Sequence, residues 1–183
     1  VSTRLPAADR RAAILEAAMA EFGEHGFEGA TTDAIARRAG ISQPYVIRLF
    51  GTKRDLFTAA VERVFDETLT AFEDAAAAAP PGEARLHAMG RAYTRLLEDR
   101  RVLLMHLQAF AASGHPEVRT LVRARMSGLR ERVMSLSGVD ANRMRDFLAL
   151  GMLLNVVAAL DLPELLGGDD WRECILRPPG DGA

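Results

Sequence analysis

The chain has 183 residues, enough to bury a core as one domain or two small ones, and 49% of them are hydrophobic, which excludes a disordered polymer. A formal net charge of −2 excludes a generally basic coat, so any nucleic-acid surface must be local. The single cysteine, Cys174, excludes an internal disulfide and suits the cytoplasm. Residues 1–6 read as a loose arm, with Pro6 placed at a helix start. Arg4, Arg10 and Arg11 interrupt this end and no apolar run follows, so no signal peptide is expected. The first helix should extend to about Gly26, with Ile14, Leu15, Ala18 and Phe22 inward, and Gly26-Phe27 gives it a glycine-plus-hydrophobe ending.

Residues 31–57 carry the densest set of local signals. Thr31 or Thr32 can cap a short helix, since a hydroxyl accepts from an orphan backbone N–H. Ile35, Ala36 and Ala39 give that helix one apolar face, and Gly40 supplies the left-handed residue that ends it, with Ile41 as the closing hydrophobe. Ser42 sits at the next N-cap, and Pro44 is tolerated in a first turn whose N–H groups lack helical partners. Val46, Leu49 and Phe50 fall at i, i+3 and i+4 and face inward, leaving Gln43, Pro44, Tyr45, Ile47 and Arg48 outward. Gly51 stops this helix, and Thr52 with Asp55 makes a capping-box-like start for the following one. A helix, a glycine turn and a second helix with an outward N-terminal half is a helix-turn-helix.

Thr31-Thr32, Ile35-Ala36, Ala39-Gly40-Ile41-Ser42, Phe50, Lys53 and Leu56-Phe57 together resemble the N-terminal DNA-binding domain of the TetR family of one-component transcriptional regulators. The likeness spans about the first third of the chain; the rest resembles that family only in size and helical character. It implies an all-α bacterial protein with a three-helix DNA-binding domain at residues 1–52. A C-terminal helical bundle for ligand binding and dimerisation follows at residues 53–183, with the helix from 53 to about 79 as connector. It further implies a ligand-responsive repressor that binds a palindromic double-stranded DNA operator as a homodimer. An activator of the same fold, or a helical small-molecule-binding module without DNA function, are the alternatives. Thr32, Gln43, Pro44, Tyr45, Ile47, Arg48 and Lys53 are the expected DNA contacts, Lys53 as a phosphate contact at the start of a helix whose dipole disfavours a cation. Pro44, Ile47 and Arg48 depart from the family pattern of a small residue, a phosphate-binding tyrosine and a histidine. Tyr45 or Arg48 can take the tyrosine's place.

The helix begun at Thr52 continues through Leu56, Ala60, Val64, Leu69 and Phe72 until Pro80-Pro81-Gly82 ends it. Further helices follow around Leu86–Leu97, over 102–112, from 117 to about 136, and from Asp140 to Leu160, separated by Ser113-Gly114-His115-Pro116 and Ser137-Gly138. One short helix is expected around Trp171. Residues 147–162 are the most apolar run, yet shorter than the roughly 20 residues a bilayer requires, so no membrane partner is expected.

The four histidines, His25, His87, His106 and His115, show no metal-ligand spacing, and neither a nucleophile elbow nor a phosphate-cradling glycine loop is present. No cofactor, no metal and no enzymatic activity are expected. Met89, Tyr93, Met105, Phe110, Met126, Phe147 and Met152 lie on helices that must pack together, and flexible methionines beside aromatics can line a pocket for an apolar or amphipathic effector. The run at 147–162 is apolar almost all round and needs cover on every face, which a second copy would supply. Gly151, Ala158 and Ala159 are small enough for close approach there, and Asn155 could bond across the axis or to backbone.

Overall fold

The computed structural model describes residues 7–166, and the segment around Trp171, like Cys174 and residues 1–6, lies outside them. Among the described residues there are eight α-helices and no strand: α1 (Ala7–Gly29), α2 (Thr32–Arg38), α3 (Gln43–Phe50), α4 (Lys53–Ala77), α5 (Glu83–Leu97), α6 (Arg100–Ala111), α7 (Pro116–Ser137) and α8 (Ala141–Leu160). The all-α expectation holds. Short 3₁₀ turns occupy Ala112–Gly114 and Pro163–Leu166.

The helices group into two compact units whose limits do not follow a single cut in sequence. Among the described residues, 7–64 and 104–122 form one, and 65–103 and 123–166 the other. α4 therefore contributes its first half to one unit and its second half to the other.

The first unit is built on α1. Gly26 adopts φ +73 inside that helix, so the predicted break falls there and the chain makes one more turn to Gly29. The break delivers Phe27 onto Phe57 of α4 with ring centroids 5.0 Å apart, while Phe22 meets Phe57 edge-on at 4.9 Å. Ile14, Met19, Ile35, Val46 and Leu56 complete a core with no solvent exposure. Glu21 is buried beneath this layer and His25 bonds back to it, but the stronger tie is Arg38, which grips both oxygens of Glu24 at 2.7 and 3.1 Å. That bond, followed by the Arg38 charge, holds the Glu24 carboxyl below its ordinary range. Arg38 thus fastens the end of α2 to α1.

The second unit centres on Phe72, Leu86, Met89, Val133 and Met144, with Tyr93, Leu129, Phe147 and Leu148 packed against them. Phe72 meets Tyr93 and Phe147 edge-on at 5.9 and 5.8 Å. The α4–α5 corner is clipped to the end of α7: the Gly82 amide donates to Ser137 O at 2.9 Å and Arg85 Nη1 to Leu136 O at 2.8 Å. Arg143 grips Glu83 through two nitrogens, tying α8 to the start of α5 and lowering the Glu83 pKa.

Candidate nucleic-acid interface

The α2–turn–α3 segment is specified residue by residue. The Thr31 hydroxyl accepts from the Ala34 amide at 3.1 Å and opens α2, and Asp33 pairs with Arg37 one turn along. At the other end the Gly40 amide donates to Arg37 O and the Ile41 amide to Ala36 O, with Gly40 at φ +67. Those two bonds satisfy carbonyls the helix end would orphan, in the Schellman arrangement. Ser42 occupies the next N-cap position in extended conformation but makes no side-chain cap bond. Gly51, at φ +87, stops α3 after eight residues. The Thr52 amide then donates to Asp55 Oδ2 at 2.8 Å while the Asp55 amide donates to Thr52 Oγ1 at 3.2 Å, a reciprocal capping box that opens α4. The Thr52 amide bond, then the hydroxyl bond, depresses the Asp55 pKa.

Val46 is the anchor of α3, wholly buried, with Leu49 and Phe50 half-buried beside it. The opposite face is presented as expected: Gln43, Pro44, Ile47 and Arg48 are exposed, Ile47 to 41%, and Tyr45 is half-buried. Tyr45 carries two cations, Arg48 at 4.8 Å and Arg10 of α1 at 5.5 Å from its ring centroid. Arg11 lies 4.3 Å from the Phe50 ring. The sequence pattern does not place these two α1 arginines beside the recognition helix; the available signal is a basic pair two helices upstream. The result is a local cationic rim in a chain of net negative charge.

Lys53 sits at the edge of this face, half-buried. Its ammonium donates to the carbonyls of Glu28 and Ala30, both at 3.3 Å, and stands 4.9 Å from the Phe27 ring. The α4 dipole disfavours a cation at this end, so Lys53 needs an offsetting partner. The end of α1, with its orphan carbonyls, is such a partner, and one of the three ammonium hydrogens remains for another acceptor. Thr32 also has a partner: Gln43 Nε2 donates to its hydroxyl at 2.9 Å. Among the described residues, Glu21, Glu24 and His25 come close enough to hold a cation, but Arg38 already answers both carboxylates.

The effector candidates divide. Met89, Tyr93 and Phe147 share the second unit's core, and Met126 is a half-buried residue of that unit. Met105 (buried) and Phe110 (half-buried) belong to the first unit, and Met152 is 41% exposed. A groove of about 510 Å³ along α4 and α5 is lined by Ala71, Asp74, Ala75, Ala92, Arg95 and Leu96, none of them among those candidates.

On α8 the small positions turn inward. A Cβ on Gly151 would lie 3.8 Å from the Tyr93 ring, and Asn155 is 1% exposed. Asn155 Nδ2 donates to the Tyr93 hydroxyl and to Gly151 O, both at 2.8 Å. Burial, opposed by the Asn155 bond, pushes the Tyr93 phenol up to about 12. Ala158 and Ala159 are half-buried. The outward stripe is Met152, Leu153, Val156 and Leu160, the last 64% exposed.

Residues 14–60 match the family model described as bacterial regulatory proteins, tetR family. The HTH-type transcriptional activator FasR of Mycolicibacterium smegmatis is 28% identical over 156 residues, 82% of this chain and 70% of that protein. The HTH-type transcriptional repressor SCO4008 of Streptomyces coelicolor is 40% identical over 53 residues, 29% of this chain and 28% of that one. In fold, the chain is similar to the crystal structure of the transcriptional regulator FadR from Bacillus subtilis in complex with stearoyl-CoA, with a TM-score of 0.71 at 13% identity, covering 82% of this chain and 88% of that one. A helix-turn-helix with an outward face, in a helical chain whose relatives are named transcriptional regulators, leads to one assignment: the chain is a DNA-binding transcriptional regulator whose residues 14–60 match the tetR family model.

Proposed function

We propose that the protein is a homodimeric, effector-responsive repressor that binds a palindromic operator in the cytoplasm, with residues 1–52 for DNA and 53–183 for effector and dimer. The observation that carries this reading is the outward face of α3. Gln43, Pro44, Ile47 and Arg48 stand clear of the core while Val46 is sunk into it, with Leu49 and Phe50 half-buried beside it. On this reading Gln43, Pro44, Tyr45 and Ile47 face base edges, where an amide pairs with adenine and apolar groups meet thymine methyls. Arg48, Thr32 and the remaining Lys53 hydrogen face phosphates.

Pairing is supported by the α8 stripe of Met152, Leu153, Val156 and Leu160, and by the target, since two recognition helices must enter major grooves about 34–36 Å apart. The outward stripe replaces Gly151 and Asn155 as the contacting surface, with Ala158 and Ala159 at its margin. The effector we place in the apolar or amphipathic class, around Met89, Tyr93 and Phe147. The aromatic cluster at Phe72 supports it, as does the fold likeness to a regulator whose structure holds stearoyl-CoA. Effector binding would favour a conformation with unmatched half-site spacing and release the operator by population shift. A second reading, activation, is favoured by one observation: the relative aligned over most of this chain is named an activator.

Selection of bound sequences from a random duplex library, followed by a promoter reporter with and without the protein, tests the reading. A palindromic consensus and reduced expression are the expected results; a non-palindromic consensus would refute the operator symmetry, and raised expression would decide for activation. A thermal-shift screen should find stabilisers among long-chain amphipathic compounds. Stabilisation only by highly charged metabolites would sink the effector class.

A further inference from the structure

The bond between α2 and α3 decides which way the recognition amide faces. A glutamine carboxamide is two-faced: its oxygen only accepts and its nitrogen only donates, and a free rotor offers either to a base. Here Gln43 is exposed, yet its Nε2 is committed to Thr32 Oγ1 at 2.9 Å. Oε1 is left without a protein partner among the described residues, and Nε2 keeps one hydrogen. A phosphate oxygen only accepts, so once the Thr32 hydroxyl gives its proton to one, the hydroxyl can only accept from Gln43, and the amide nitrogen is the end that must face it.

We infer that Thr32 is a positioning residue for base reading: it holds the Gln43 carboxamide with nitrogen inward and oxygen outward, so that α3 selects adenine, and cytosine next, over guanine and thymine at one position of each half-site. The inference rests on the operator reading above and deepens it. An outward acceptor needs a base-edge donor in the major groove, and only adenine N6 and cytosine N4 provide one. The remaining N–H can reach adenine N7, which places adenine first. Guanine O6 and thymine O4 are acceptors and would face an acceptor. The same hydroxyl can join this choice to the phosphate register, one hydrogen bond received from the reader and one given to the backbone.

The test uses the whole 183-residue chain and the consensus duplex from the selection, with all four bases placed at the position that Gln43→Ala relaxes. Wild type should prefer adenine over guanine and thymine by roughly 5- to 150-fold, the range for one good side chain–base pair. Thr32→Val keeps the shape and deletes the hydroxyl; the preference should fall below about 3-fold, because the amide can flip and offer its nitrogen. Thr32→Ser should restore it. A residue that merely supported the fold or touched phosphate would weaken all four duplexes alike and leave the ratio unchanged, which would overturn the inference. Selection of guanine or thymine by wild type would overturn it too. Should Thr32→Val fail to fold, Gln43→Glu decides the same point: the carboxylate accepts from Thr32 and presents acceptors only, so the preference should move to cytosine, and an unmoved preference refutes the arrangement. A wild type that selects no sequence at all would overturn the operator reading, and this inference with it.

Discussion

α3 and α8 both show apolar side chains to solvent, and they do so differently. On α3, Ile47 is exposed among Gln43 and Arg48, beside a tyrosine that carries two arginines. On α8, Met152, Leu153, Val156 and Leu160 follow one another along a face with no charge from Phe147 to Leu160. An apolar group inside a cationic rim suits a polyanion that carries methyl groups. An unbroken apolar stripe suits another apolar stripe, because burial there exchanges no strong hydrogen bond with water. Exposure of hydrophobic area is the same observation in both places. Its electrostatic surroundings are what separate the two proposed partners.

The contrast can be broken most forcefully at α8. Val156→Glu puts a charge at the middle of the stripe without touching the Asn155–Tyr93 pair, and it should give a folded monomer at micromolar concentration. Operator affinity should drop about 100-fold or more, since the second half-site is lost as an intramolecular event. Sedimentation velocity and anisotropy on the same samples check both halves. A dimer with unaltered operator binding would mean that the stripe serves something else. Ile47→Ser on α3 is the matched control: dimerisation unchanged, operator affinity reduced.

Lys53→Ala is the next in size and separates two roles in one side chain. The phosphate role predicts a salt dependence of log K shallower by about one unit, with all sequences weakened alike. The contacts to Glu28 O and Ala30 O predict a lower melting temperature in the absence of DNA. A melting shift with an unchanged salt slope would assign Lys53 wholly to the fold. The smallest effect lies at Asp55. Its folded pKa is depressed below the ordinary 3.8, so its contribution is present above that value and fades as pH falls through the folded pKa. Amide exchange at the start of α4 should quicken in acid, and Asp55→Asn should abolish the step because the amide does not titrate. An acid step that persists in Asp55→Asn would locate it elsewhere.

The same two helices show what was legible in the sequence. Around α3 every deciding interaction is local: Thr31 caps three residues ahead, Gly40 closes its own helix, and Thr52 and Asp55 bond across three positions. Signals of that reach survive in a one-dimensional string. The Gln43–Thr32 bond spans eleven residues and that of Lys53 to Glu28 twenty-five, and no spacing rule announces either. The pattern of α8 marks a helix, as the structure has it, but a helix apolar on all sides has no preferred face. Gly151 and Asn155 turn inward because Tyr93, 62 residues before Asn155, meets them, and that partner comes from another helix. The division into units was hidden for a similar reason: residues 104–122 group with the N-terminal helices by packing alone.

The brevity of α3 has one more consequence. Eight residues are too few to hold a helix in water, where about 12–15 are marginal. Its shape is therefore imposed from outside, by Val46 in the core and by Gly40 and Gly51 at its flanks, while Gln43, Pro44, Ile47 and Arg48 contribute almost nothing to keeping it folded. On the reading proposed above, most positions that bear on target choice are distinct from Val46, Gly40 and Gly51, which shape the helix. A gene duplicate can then drift through new outward residues without passing through an unfolded intermediate, and the DNA sequence it recognises can change while the scaffold stands still.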